Sequence, residues 1–107
     1  MTTKTEKTFW VKIYMSGPIE AAKQVCRAVC HDEGLCVTID PTHFIYTGGE
    51  EAGFVVGLIN YPRFPKMDDE IMDTAKYLVE ELLLSTHQHS ALIMTPDITE
   101  WTTSRAQ

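Results

Sequence analysis

A pair of glycines in the middle of the sequence separates two runs of strand-forming residues, and this stretch constrains the fold more than any other. Phe44 to Thr47 precedes the pair and is aromatic or β-branched, which suits a pleated strand. Gly48 and Gly49 can adopt positive φ at little cost, so they favour a tight reversal of the chain. The stretch therefore predicts a β-hairpin.

The run after the turn is unusual because no position in it is polar. Ala52 to Ile59 contains only apolar or glycine residues, so both faces of the predicted strand lack polar side chains. Such a strand needs cover on both sides. Gly53 and Gly57 weaken a strand, and their presence suggests that something packs closely against that face.

Periodicity predicts the remaining elements. Alternation of apolar and polar residues predicts strands at Phe9 to Met15, from Leu35 across Pro41 into the hairpin, and at Ser90 to Thr95. Apolar residues three and four positions apart predict helices from Pro18 to about Gly34 and from Asp68 to about Ser85. Pro41 cannot donate to a ladder, so the second strand is expected at a sheet edge. The segment from Ile98 to Gln107 could be a short extra strand or a docked or swapped arm.

This β-α-β-β-α-β order matches the split βαβ motif of ferredoxin-like domains. We therefore expect an α+β fold, with a four-stranded antiparallel sheet of order 4-1-3-2 and two helices on one face. Residues 1–107 are expected to form one domain, with 1–8 and about 102–107 flexible. The helix-free face would carry Trp10, Tyr14 and apolar residues of the third strand, and such a patch predicts a homo-oligomer formed through that face.

Composition excludes several classes of function. The net charge of -6 and nine scattered Lys and Arg residues argue against nucleic-acid binding, and no apolar run reaches the ~20 residues needed to span a membrane. Three cysteines cannot all pair within one chain, which favours reduced thiols and a cytoplasmic protein. No cofactor is predicted.

The expected topology brings three loops to one end of the sheet. A helix N-terminus after a small-residue turn suits an anion, so the sequence predicts a site there for a small polar or anionic ligand. The predicted ligand-binding residues are Ser16, Gly17, Tyr46, Thr47, Gly48, Gly49, Glu50, His87 and His89. The simpler alternative is that the first segment only caps a helix and the glycine pair only forms a turn.

Carboxylates next to histidines could act as acid and base in one cleft. Glu50, Glu51 and His89 are the candidate catalytic residues, with His87 as a further assisting group. Adjacent residues of a strand point to opposite faces, so at most one of the two glutamates would enter a shared cleft. Solvated glutamates beside a turn are the alternative.

Three other groups could bind a metal or a partner. Cys26, Cys30, His31 and Cys36 are close in sequence, and His87 and His89 flank one glutamine. The absence of a paired CxxC motif, and the apolar helix face on which Cys26 falls, predict no metal site. Asn60 to Phe64 could be a recognition loop, although packing is the expected role.

The segment KIYMSGP, Lys12 to Pro18, resembles the strand-and-loop opening of the nucleoside 2-deoxyribosyltransferases. In that family this segment approaches the nucleoside, the sheet is parallel, and a glutamate nucleophile comes later in the chain. GGEEAG, residues 48–53, loosely resembles such a glutamate segment. The resemblance covers seven residues and implies a small enzyme acting on a nucleoside-like substrate.

Three functions follow from these patterns. The leading prediction is a non-catalytic, homo-oligomeric protein that binds a small polar or anionic ligand, or a protein partner. The first alternative is a small enzyme acting on a nucleoside-like substrate with a glutamate carboxylate. The second alternative is a purely structural or interaction module.

Overall fold

The computed structural model describes residues 1–105 and contains two helices and five strands. In chain order these are β1 (Trp10–Ser16), α1 (Ile19–Glu33), β2 (Thr38–Tyr46), β3 (Gly49–Ile59), α2 (Asp68–Thr86), β4 (Ser90–Met94) and β5 (Thr99–Thr103). The strands form one sheet in the order β2-β3-β1-β4-β5, and every neighbouring pair is antiparallel. The fold is α+β.

The predicted four-stranded ferredoxin-like sheet of order 4-1-3-2 is wrong, because the tail adds a fifth strand. β5 pairs with β4 from Ser90 opposite Thr103 to Met94 opposite Thr99. A turn makes this possible: the Thr95 amide donates to the Ile98 carbonyl at 2.8 Å, and the Ile98 amide donates to Oγ1 of Thr95 at 3.0 Å. The turn returns a β-prone segment to the edge of β4 that would otherwise be unpaired.

One face of the sheet forms the core. In β1 and β3 the alternate residues Val11, Ile13, Met15, Phe54, Val56 and Leu58 are buried and lie opposite one another. The two helices cover this face with Ala22, Cys26 and Val29 of α1 and with Ile71, Ala75, Leu78, Val79 and Leu82 of α2. The remaining residues of each strand therefore point to a face that carries no helix.

The two helices end in different ways. Gly34 closes α1 in the left-handed conformation (φ 64°), and its amide donates to the Cys30 carbonyl at 2.9 Å. His87 closes α2 in the same conformation (φ 56°), where glycine is usual. The end of α2 is also tied by Thr86, whose buried hydroxyl donates to the Leu82 carbonyl at 2.7 Å.

The outer strands and chain ends complete the description. β2 forms one edge of the sheet and includes Pro41, as expected for a strand that contains proline. Of the tail that was predicted to be flexible, Thr102 and Thr103 lie in β5, whereas residues 106 and 107 lie outside the described part of the chain. Within residues 1–105, neither helix combines the length and apolar content that crossing a membrane requires.

Candidate functional site

The helix-free face carries a row of side chains that crosses all five strands. The register aligns Asp40, Val55, Tyr14, Leu92 and Trp101 across β2, β3, β1, β4 and β5. All five point away from the helices, because the neighbours of Val55, Tyr14 and Leu92 along β3, β1 and β4 are buried in the core, and residues paired across strands share a face. Apart from Asp40 on edge strand β2, this row therefore presents aromatic and aliphatic side chains to the surroundings.

A shallow depression of about 270 Å³ lies on this face near the end of β1. We call it the aromatic groove and define it by Tyr14, Ser16, Phe44, Ser90, Leu92 and Trp101. Its three rings come from β1, β2 and β5, so the groove exists only because the outer strands are paired as they are. Ser16, and Ser90 with its hydrogen bond to the Thr103 hydroxyl at 2.9 Å, supply polar groups.

Glycine is needed under one wall of the groove. A Cβ atom at Gly53 would lie 2.7 Å from Cε2 of Phe44 and would also collide with the Met15 backbone. Gly57 is similarly covered, since a Cβ there would lie 2.6 Å from Oγ1 of Thr38. Both contacts explain why glycine occurs within β3.

A carboxylate borders the aromatic groove. Glu51 is paired in register with Phe44, and its Oε2 accepts a hydrogen bond from the Ser16 hydroxyl at 2.7 Å. Because residues of a strand alternate, Glu50 lies on the opposite face. Its Oε2 is 3.0 Å from Nε2 of His43, and both side chains are more than half exposed.

The predicted histidines lie elsewhere. His87 and His89 line a separate depression of about 610 Å³ between the end of α2 and the end of β5, and Nδ1 of His89 is 3.4 Å from the Ser104 hydroxyl. Among residues 1–105, neither histidine forms a hydrogen bond to Glu50 or Glu51. The structure thus brings together Ser16 and Glu51, and it pairs Glu50 with a histidine that the sequence did not single out.

The remaining predicted residues have mainly local roles. The Gly17 amide donates to the Ala52 carbonyl at 3.1 Å, and a Cβ at Gly17 would meet side chains of the α2–β4 connection. Gly48 has φ 87° in the hairpin turn, and nothing lies within 4 Å of a Cβ there. The Tyr46 ring packs over Gly49, and Thr47 is exposed.

Sequence reasoning missed most of the aromatic groove. The sequence predicts Tyr14 only as part of the helix-free face and Phe44 only as part of a strand. Trp101 could be placed only once the tail was known to pair with β4. The signal that could have revealed the groove is the set of residues that share a sheet face with Tyr14. That set can be identified only when all the strands are aligned in register.

Cysteine chemistry lies on the other side of the sheet. All three cysteines are free, with Cys26 buried, Cys30 partly buried and Cys36 exposed. Burial, with a smaller effect of Cys30, raises the pKa of Cys26 to about 11, and burial also raises the pKa of Cys30. No cluster of His, Cys, Asp or Glu within residues 1–105 has the geometry to hold a metal ion.

The fold is similar to that of solved structures although the sequence is not. No protein-family profile matches the chain, and no curated protein matches it in sequence. A structure described as a phage SAM lyase in the apo state superimposes with a TM-score of 0.73 at 13% identity, covering 100% of this chain and 98% of that one. A phage SAM lyase in complex with S-methyl-5'-thioadenosine gives a TM-score of 0.66 at 12% identity, covering 97% and 95%.

These similarities show a shared fold, and they correct the leading functional prediction. Both structures are of an enzyme, which contradicts the prediction of a non-catalytic binding protein and the associated leaning against enzyme activity. The parallel sheet implied by the resemblance to nucleoside 2-deoxyribosyltransferases is absent from residues 1–105, where every strand pair is antiparallel.

Proposed function

We propose that this protein is an enzyme that binds S-adenosylmethionine, or a sulfonium nucleoside of the same class, and releases a 5′-thioadenosine thioether. The observation that carries the proposal is the aromatic groove with the Glu51 carboxylate at its border. The similarity in fold to phage SAM lyase over essentially the whole chain supports the choice of substrate.

The groove has the chemistry that an adenine ring and a sulfonium require. Tyr14, Phe44 and Trp101 offer aromatic faces on which a purine can stack, and a cation is attracted to the face of such rings. The volume of about 270 Å³ lies just below the ~300–1,000 Å³ typical of small-molecule sites. We therefore place the nucleoside in the groove and the amino-acid end toward Glu51.

The bond cleavage itself needs little from the protein. The substrate's own carboxylate can attack the γ-carbon of the amino-acid moiety, which is bound to sulfur. A five-membered lactone then forms as this carbon–sulfur bond breaks. The electron pair of that bond passes to sulfur, which leaves as a neutral thioether. The protein would fold the substrate into this geometry, a contribution made by positioning.

Glu51 is assigned to binding. A carboxylate beside the sulfonium would stabilise the charged ground state more than a transition state in which that charge is being lost. The same carboxylate beside the substrate's ammonium group would hold the amino-acid end and leave the reacting carboxylate free. We therefore propose that Glu51 accepts a hydrogen bond from the ammonium, with Ser16 fixing its orientation.

The proposal is tested by calorimetric titration of the protein with S-adenosylmethionine and with S-methyl-5′-thioadenosine. We expect both to bind to wild type, and we expect Trp101→Ala to weaken both while keeping a cooperative melt. Thr99→Ala is the matched control, because Thr99 lies in the same strand and outside the groove. Undetectable binding of both ligands to the wild type would contradict the proposal.

We also retain two predictions as proposals. The helix-free face beyond the groove carries exposed apolar side chains such as Ile59, which is 54% exposed, so we propose that a second copy of the chain packs there. We propose a cytoplasmic location, because the substrate class is intracellular and three free cysteines suit a reducing compartment.

A further inference from the structure

A second groove, on the helix side of the sheet, is lined by all three thiols. It lies between α1 and the segment that leads into β2, and its volume is about 400 Å³. We call it the thiol groove; its lining includes Cys26, Cys30, Cys36, Lys23 and Arg27. It shares no residue with the aromatic groove.

The chain between α1 and β2 wraps around Cys30. The amides of Gly34 and Leu35 donate to the Cys30 carbonyl at 2.9 and 3.3 Å, and the Val37 backbone offsets part of the rise in the Cys30 pKa that burial causes. Cys36 thus lies between two residues whose backbones interact with Cys30. Residues 35–37 belong to no helix or strand, so no helical or ladder hydrogen bond fixes the Cys36 backbone relative to Cys30.

The three thiols differ in access. Cys36 is exposed, Cys30 is partly buried, and Cys26 is only 5% exposed in the core beneath α1. A reagent in solution would therefore meet Cys36 first. Cys30 is placed to react second, and Cys26 is shielded from reagents.

The charge around the groove selects the kind of reagent. Lys23 and Arg27 flank the thiols in a chain whose net charge is -6, so they form a local basic site on an acidic protein. Lys23 also contacts Glu20 at 3.1 Å, which leaves Arg27 as the stronger candidate for binding an external anion. An anionic disulfide fits this combination of thiols and cations.

We propose that the thiol groove is a thiol–disulfide exchange site for small anionic disulfides of the glutathione disulfide class. The Cys36 thiolate attacks one sulfur of the disulfide, forming a mixed disulfide and releasing one glutathione thiolate. The Cys30 thiolate then attacks the Cys36 sulfur, forming the Cys30–Cys36 disulfide and releasing the second glutathione. The small disulfide is reduced by two electrons, and the protein is oxidised by two.

The test is mass spectrometry of the reduced, full-length protein after incubation with glutathione disulfide. Wild type is expected to lose two hydrogens, with Cys30 and Cys36 linked in the peptide map. Cys30→Ala is expected to stop at one glutathione adduct on Cys36, and Cys36→Ala to form no internal disulfide. Cys26→Ala is the matched control and should still form the Cys30–Cys36 link.

A second arm tests the role of charge. Arg27→Gln is expected to slow the reaction with glutathione disulfide roughly tenfold and to leave the reaction with neutral hydroxyethyl disulfide unchanged. Equal slowing with both reagents would overturn the anion-binding part of the proposal. A wild type that stays unmodified, or that links Cys26 instead, would overturn the exchange site as a whole.

Discussion

The Phe44 ring packs over Gly53, its diagonal neighbour on the adjacent strand, so closely that a single added carbon would collide with the ring. That carbon, a Cβ at Gly53, would be 2.7 Å from Cε2 of Phe44. The contact joins edge strand β2 to β3 and fixes one wall of the aromatic groove. Substitutions at these positions therefore report on both the fold and the site.

Gly53→Ala is expected to lower the free energy of unfolding by about 1–3 kcal/mol, because the new methyl group overpacks the site and pushes on both Phe44 and the β1 backbone. Urea denaturation measures the change. Gly48→Asn is the control, since nothing lies near a side chain there and asparagine tolerates positive φ. A loss at Gly53 no larger than the loss at Gly48 would show that the close contact does not exist in solution.

The two adjacent glutamates should differ in their effect on binding. Glu51→Gln is expected to weaken S-adenosylmethionine binding about tenfold or more, since a hydrogen bond to a charged group contributes about 1.5–3 kcal/mol. It should leave S-methyl-5′-thioadenosine unaffected, because that ligand has no ammonium group. Glu50→Gln, on the opposite face, should change neither affinity in calorimetric titration. Equal effects of Glu50→Gln and Glu51→Gln would remove Glu51 from its assigned role.

His87→Gly is expected to stabilise the protein by about 0.5–1 kcal/mol. His87 closes α2 with φ 56°, a conformation that glycine adopts without the steric cost that a side chain incurs. Thermal and urea unfolding of the two proteins give the comparison. Destabilisation would mean that the His87 side chain makes a contact whose stabilising free energy exceeds the cost of the left-handed backbone conformation.

Cys26 should make stability depend on alkaline pH. Its pKa is raised from 9.0 to about 11 in the folded protein, so the folded state keeps a proton that the unfolded state loses. The protonated Cys26 thiol makes a constant contribution to the free energy of unfolding below about pH 9. As the pH rises toward 11 this contribution falls by roughly 2–3 kcal/mol. The difference in unfolding free energy between wild type and Cys26→Ala should therefore shrink over this window. A difference that stays constant to pH 11 would show that the thiol is not shielded.

Self-association gives a direct test of the helix-free face. Val55 points away from the helices, so Val55→Lys is expected to place a charge in the interface and convert the assembly to monomers. Light scattering measures the mass before and after. Val25→Lys, a partly buried position on α1 away from this face, controls for loss of fold. A wild type with the 12.1 kDa mass of one chain would contradict the proposed association.

The elements of the chain were more predictable than their assembly. Glycine at position 34 and the apolar spacing of α1 and α2 are local signals, and the structure has both helices within a few residues of the predicted ends. The strand number was wrong because Thr99 to Thr103 has a single apolar residue, Trp101, and so shows no period, and because its pairing depends on the Thr95–Ile98 turn. Only a tertiary contact, the open edge of β4, decides that this segment is a strand.

Dependence on tertiary contacts also limited the prediction of the site. Alternation along β3 correctly implied that Glu50 and Glu51 face opposite ways, which needs only local geometry. The aromatic groove joins Tyr14, Phe44 and Trp101, which are far apart in sequence and meet only through strand order and register. Neither the strand order nor the register can be inferred from the spacing of residues along the chain.

Turnover of S-adenosylmethionine tests the central claim most directly. Purified protein is incubated with the substrate, and release of S-methyl-5′-thioadenosine is followed by chromatography, with Trp101→Ala and the control Thr99→Ala measured in parallel. We expect release by wild type and by Thr99→Ala well above the rate in buffer, and a strong reduction in Trp101→Ala at an unchanged melting temperature. Release by wild type at no more than the rate in buffer, with correctly folded protein, would contradict the account.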